Sequence, residues 1–233
     1  MVNFGSIRCG CGQVTLYLPN PRPKFRCGCC CSDCLQRAYL GAHGQPPKAV
    51  LDRREPIDLI YVDSLFLLPD EATRAQLGVF RLNDPNGANI SLRAECCGAV
   101  LCTENQAFHV PHSMAAFNDL EPTVICEFAE VPEVAFHIFT ADWPERFTLR
   151  LADRETSELG VARAQIAHPV SELDNPHVAD LVRSFQIPPP STSTDFISFK
   201  ALREDLPIEL VHDYFDASRA HDVIQKESKA QAP

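Results

Sequence analysis

Ten of the eleven cysteines fall within the first 102 residues, in three tight groups. These are Cys9 and Cys11; then Cys27, Cys29, Cys30, Cys31 and Cys34; then Cys96, Cys97 and Cys102. Spacings of one or two residues bring thiols onto a single turn of backbone, too close for most disulfides within a group. They are close enough to grip one soft ion, so the pattern reads as metal ligands, and zinc before an iron–sulfur cluster.

Ligand pairs on tight knuckles from separate parts of a chain make a closed structural zinc site. Cys9-Gly10-Cys11-Gly12 is one such knuckle and Cys96-Cys97-Gly98 a second. Together they predict a four-sulfur site joining segments some 85 residues apart. The middle group differs, because Cys29-x-Cys31-x-x-Cys34 offers three thiolates leading into a helix. Three ligands leave a fourth position for chemistry, unless Cys27 or Cys30 closes it. A zinc with three thiolates carries net charge −1 and prefers a soft sulfur partner to water. Two zinc ions per chain are expected.

The remaining composition narrows the function. Residues 1–118 hold 11 Lys and Arg against 10 Asp and Glu, whereas residues 119–233 hold 10 against 21. The cysteine-rich half is balanced and the rest acidic, which argues against nucleic acid and anionic membranes as partners. Met1–Gly12 lacks the apolar segment of a signal peptide, and Ile57–Leu68 is too short to span a bilayer. The expectation is a cytoplasmic protein, where thiols stay reduced. Arg8, Arg26 and Arg37 neighbour the cysteine groups, where positive charge would lower thiol pKa.

The first half reads as β. Gln13–Leu18 alternates apolar and polar residues, and Leu77–Leu82 and Ala88–Ala94 flank the turn signal Asn83-Asp84-Pro85-Asn86-Gly87. Ser32 or Asp33 caps a short helix through Leu35 and Ala38, and strands are expected at Thr123–Phe128 and Val134–Thr140. Beyond Trp143 the pattern predicts strands at Phe147–Leu151 and Phe196–Phe199. One helix is expected after Asn175, carrying Val178, Leu181, Val182 and Phe185. A second should begin at Asp205, carrying Leu210, Val211, Tyr214 and Phe215, before a disordered tail from about residue 225.

Taken together, these motifs resemble the glutathione-dependent formaldehyde-activating enzyme family, which includes centromere protein V. Cys9-Gly10-Cys11-Gly12 matches the family's opening, Cys29-Cys30-Cys31-Ser32-Asp33-Cys34 its central block, and Cys97-Gly98 its third element. Pro132 and His137-Ile138-Phe139 before Trp143 match its close. The resemblance covers roughly residues 3–147 and implies a mainly β, zinc-ribbon-like (Mss4-like β-tent) domain; it does not explain 148–233, which read as a C-terminal α+β extension. It further implies that Cys9, Cys11 and Cys97 are structural ligands and that Cys29, Cys31 and Cys34 surround the reactive zinc. One position departs, since the family's first cysteine of the third element falls at Ala94. Either a backbone kink turns Cys96 and Cys97 to one ion, or Cys102 or a water completes the set. The kink is the preferred reading, because neighbours on a regular strand face opposite ways.

The implied activity is that of a carbon–sulfur lyase. Such an enzyme makes or breaks a carbon–sulfur bond in a glutathione or other thiol adduct, with the substrate sulfur on the three-cysteine zinc. Arg26 or Arg37 would hold the glutathione carboxylates. His43, His109 and His112 lie nearest the motifs, yet nothing in their spacing marks a general base; His137 reads as a packing residue. A non-catalytic, zinc-stabilised protein-interaction module is the alternative, and a redox or zinc-handling protein using Cys27, Cys30 and Cys102 a third.

Overall fold

The computed structural model describes residues 4–41, 56–82, 89–104, 112–118, 123–134, 136–140, 164–166 and 195–211, with positions 176, 178, 179 and 183. These residues are mainly β. Strands β1 (Gly5–Cys9), β2 (Thr15–Leu18) and β10 (Val124–Glu127) form a three-stranded antiparallel sheet with β1 in the middle. A nine-stranded sheet begins at one edge with β12 (Ala164–Ile166), β11 (Phe136–Ile138), β3 (Phe25–Cys29) and β4 (Ile57–Asp63). It continues through β9 (Ser113–Phe117), β8 (Val100–Glu104), β7 (Ile90–Ala94) and β6 (Leu77–Leu82) to β14 (Ile208–Val211) at the other edge. A third pairing joins β5 (Leu65–Leu67) to β13 (Phe196–Ser198).

The apolar run at Ile57–Leu68 is explained by burial on both faces of the large sheet. Leu59 and Tyr61 of β4 enter one core with Cys27, Cys29, Phe80, Phe117 and Phe136. Ile60 and Val62 point the other way, into a core with Ile7, Leu16, Phe66, Val79 and Leu92. A strand covered on both sides needs no polar alternation. Each large side chain so buried is worth about 2–3 kcal/mol. The three-stranded sheet contributes Ile7, Leu16, Leu18 and Val124 to the second core. Helix α1 (Ser32–Gly41) contributes Cys34 and Ala38 to the first. The two cores therefore separate the two ends of the chain's cysteine chemistry.

The hairpin of β6 and β7 has the register Leu77↔Ala94 to Arg81↔Ile90, with its tip outside the described residues. Strands β2, β10 and β11 and helix α1 also lie where the sequence places them. Helix α2 (Glu71–Arg74) is capped by Asp70, whose carboxylate accepts from the Thr73 amide at 2.7 Å.

The last expected helix is corrected. Asp205 ends a helix instead of starting one: α3 spans Phe199–Glu204, with the Ser198 hydroxyl accepting from the Ala201 amide at 3.0 Å. Pro207 follows, with no amide hydrogen to continue the ladder. Leu210 and Val211 then lie on β14, parallel to β6. Tyr214, Phe215, the strand expected at Phe147–Leu151 and the tail from 225 are outside the described residues, as are Leu181, Val182 and Phe185. Positions 176, 178, 179 and 183 are helical, and Val178 is fully buried. The C-terminal strands do not form a sheet of their own. β12 pairs with β11, β13 with β5 and β14 with β6. Among the described residues, no helix is long and apolar enough to cross a membrane.

Candidate functional site

The sulfurs gather into two groups, one on each core. The first comprises Cys9, Cys11, Cys96 and Cys97, and the second Cys29, Cys31 and Cys34; within each, all sulfurs lie within 4.8 Å of one another. A tetrahedral zinc with bonds of about 2.3 Å sets sulfurs about 3.8 Å apart. In the first group the separations are 3.3 Å for Cys9–Cys11, 3.4 Å for Cys11–Cys96, 3.8 Å for Cys9–Cys96 and 3.9 Å for Cys96–Cys97. Four soft donors at these distances fit one metal ion.

The backbone explains how this first group closes. Cys9 ends β1, and its amide donates to the Val14 carbonyl at 3.0 Å while the Val14 amide donates to the Cys9 sulfur at 3.2 Å. Cys96 and Cys97 are not on a strand. They occupy a turn in which the Ala94 amide donates to the Ala99 carbonyl and the Gly98 amide to the Ala94 carbonyl. Strand alternation stops at Ala94, so adjacent cysteines can face the same point. Gly12 and Gly98 take left-handed φ values of 79° and 70°, which residues with a β-carbon adopt at a cost. Ala94 itself is buried, and Cys102 is buried in the same core as the first group yet belongs to neither group. Cys11 is exposed; an amide hydrogen bond at Gln13, then contacts with Cys9 and Cys96, lower its thiol pKa to about 7. Burial pushes Cys96 and Cys97 upward.

In the second group, Cys29 ends β3, Cys31 precedes α1, and Cys34 lies in the first helical turn. Cys29 and Cys31 sulfurs are 3.2 Å apart, and the Cys34 amide points at the Cys31 sulfur from 3.3 Å. Amide hydrogens at a helix start favour negative charge. Cys29 and Cys34 are buried, whereas Cys31 is half-buried. Contacts from Cys29 and Cys34 hold the Cys31 thiol well below its ordinary range. Cys29 is pushed up, first by burial. For Cys34 the Cys29 contact pulls downward, but Cys31 and burial outweigh it. Cys27 and Cys30 are buried outside this trio, and burial pushes the Cys27 thiol well up.

The two arginines expected to hold carboxylates are committed elsewhere. Arg26 makes a two-pronged pair with Asp58 at 2.9 and 2.8 Å, and Asn118 reinforces that carboxylate at 2.7 Å. Arg37 is buried and reaches no solvent. Arg8 pairs with Glu127 at 3.5 Å. Of the histidines, His43 and His109 are outside the described residues and His112 is exposed at a left-handed φ of 69°. His137, on β11, packs over Gly28, its register partner on β3.

That packing explains why β3 carries a glycine between two cysteines. A β-carbon on Gly28 would overlap the His137 ring and lie 2.9 Å from Pro56 Cβ. Gly28→Ala is expected to lower stability by about 1–3 kcal/mol, as overpacking does. A urea midpoint unchanged from wild type would show that His137 moves aside freely.

Sequence reading missed Tyr61 and Ser91. Tyr61 is a buried phenol in the core beside Cys27 and Cys29, with its ionisation pushed well up by burial and then by the neighbouring thiols. Ser91 is a buried hydroxyl on β7 contacting Arg37. β4 and β7 are buried along nearly their whole length, so no alternation of apolar and polar residues singles out either position. Compared with protein-family models, with curated proteins and with solved structures, the chain matches none.

Proposed function

We propose that this chain is a zinc-dependent carbon–sulfur lyase of the glutathione-dependent formaldehyde-activating type, acting on a glutathione or other thiol adduct. One observation carries the reading: three thiols, Cys29, Cys31 and Cys34, converge where β3 meets α1, with Cys31 half-buried. The group has three members among the described residues, whereas the other cysteine group has four. When bound, a zinc ion there supplies a soft position that stabilises a sulfur as thiolate.

The chain's own residues do the rest. Cys29, Cys31 and Cys34 fix the charge and geometry of the centre, and the Cys34 amide at the start of α1 points at the Cys31 sulfur. In adduct cleavage the carbon–sulfur bond breaks and its electron pair stays on sulfur. The adduct hydroxyl gives up its proton to solvent as the aldehyde carbonyl forms. Addition is the same step reversed, and one pocket serves both directions. Neither described histidine, His112 or His137, belongs to the trio. The structural role falls to Cys9, Cys11, Cys96 and Cys97, a closed set that ties two sheets together.

The test combines metal content with exchange kinetics. Protein purified anaerobically should hold two zinc ions per chain, one released to chelator faster than the other. Exchange between glutathione, formaldehyde and their hydroxymethyl adduct, followed by exchange NMR, should speed up with added protein. A single zinc ends the two-centre reading. Two zinc ions with no acceleration for any glutathione–aldehyde or glutathione–alkyl adduct ends the lyase reading in favour of a zinc-stabilised interaction module.

A further inference from the structure

Arg37 is among the largest fully buried side chains, only 1% exposed, yet it carries a permanent positive charge. It lies three residues after Cys34 on α1, so both project from the same side of the helix. Its Nε donates to the Ser91 hydroxyl at 2.9 Å, and its Nη2 to the Asn89 carbonyl at 3.4 Å. The Ser91 hydroxyl in turn donates to Thr103 Oγ1 at 3.2 Å, and Thr103 donates to the Ile90 carbonyl at 3.1 Å. All of these acceptors are neutral. Among the described residues the one carboxylate paired with Arg37 is Asp33, at 3.7 Å and on the solvent side. A buried guanidinium needs more compensation than one long ion pair.

We infer that Arg37 is the buried counter-charge of the three-cysteine centre, held beside it by Ser91 and Thr103. It is therefore a positioning residue for an incoming anionic sulfur, an assignment that rests on the proposed lyase reading. Three thiolates and a divalent ion together carry one negative charge, which Arg37 cancels. An arriving thiolate then meets a neutral centre and not an anionic one. This makes the pocket selective for sulfur that arrives as an anion.

Zinc release to a chromogenic chelator tests the charge without reference to turnover. Release should be biphasic, with the fast phase belonging to the three-cysteine centre. Arg37→Gln, which keeps bulk and removes charge, should speed the fast phase about tenfold and leave the slow phase alone. Arg37→Lys keeps the charge and should stay within about threefold of wild type. Ser91→Ala cuts the brace but not the charge and should stay within about twofold. Fast-phase release unchanged in Arg37→Gln overturns the inference. So does equal loosening in Arg37→Gln and Ser91→Ala, which would make Arg37 a packing brace. Should Arg37→Gln not fold, Arg37→Lys decides through pH: its fast phase should accelerate relative to wild type as pH rises and the buried ammonium loses its proton, and parallel pH profiles in the two proteins overturn the inference. If release follows these expectations while glutathione adducts do not turn over, the lyase reading alone fails.

Discussion

Cys31→Ser is expected to abolish turnover of the glutathione–formaldehyde adduct, by about a thousandfold or more, while the protein stays folded. Cys31 is the least buried of its trio and lies between the end of β3 and α1, packing against the first core from its edge. Serine matches it in size and removes the soft donor that zinc prefers over oxygen. The Cys34 amide that now points at the sulfur would find a hydroxyl in its place. Folding should survive because the large side chains around the trio, Phe136, Leu59 and Tyr61, pack by themselves. Metal content should fall from two zinc ions to one, with thermal unfolding shifted by only a few degrees. Retained turnover with one zinc would sink the assignment of chemistry to this centre. An unfolded product would make its zinc structural.

How far the sequence carries depends on the range of the forces involved. Leu77–Leu82 is legible because turn residues and β-formers are local signals, and the observed strand has those same bounds. Both cysteine groups are legible because ligand spacing is local too. Cys96 and Cys97 were harder, since the alternation rule holds only inside a strand. The Ala94–Gly98 and Ala94–Ala99 backbone bonds place both cysteines in a turn, where the rule lapses. The helix expected from Asp205 shows the opposite failure. Leu210 and Val211 fit a helical stripe, but pairing with β6, more than 120 residues earlier, wins over that pattern once Pro207 breaks the helix. The Arg26–Asp58 pair spans 32 residues, and nothing near Arg26 announces it. Strands β8 and β9 escaped notice for a related reason. Ser113-Met-Ala-Ala-Phe117 has no β-branched residue, and its extended form is fixed by β4 and β8 on either side.

Cys96→Ala should cost far more stability than Cys31→Ser, because its centre joins two sheets. The Cys9–Cys11 turn links β1 to β2, and the Cys96–Cys97 turn links β7 to β8. A metal there closes a loop of 87 residues between Cys9 and Cys96, and metal affinity becomes folding free energy. The sheets also share the apolar core of Ile7, Leu16, Val79 and Leu92, so the loss should not unfold the chain outright. A loss of about 4–5 kcal/mol is expected, the range in which removing a metal site stands out from ordinary substitutions. For a chain of this size that corresponds to a thermal midpoint about 10–20 °C lower. Strong chelator should bring wild type down to the level of the variant, and should lower the variant much less, since the linkage is already cut. Hydrogen exchange should show the β1 and β2 amides losing protection before those of β4 and β9, which sit mid-sheet. A midpoint within about 3 °C of wild type, with both zinc ions retained, would mean that Cys9, Cys11 and Cys97 suffice to hold the sheets together.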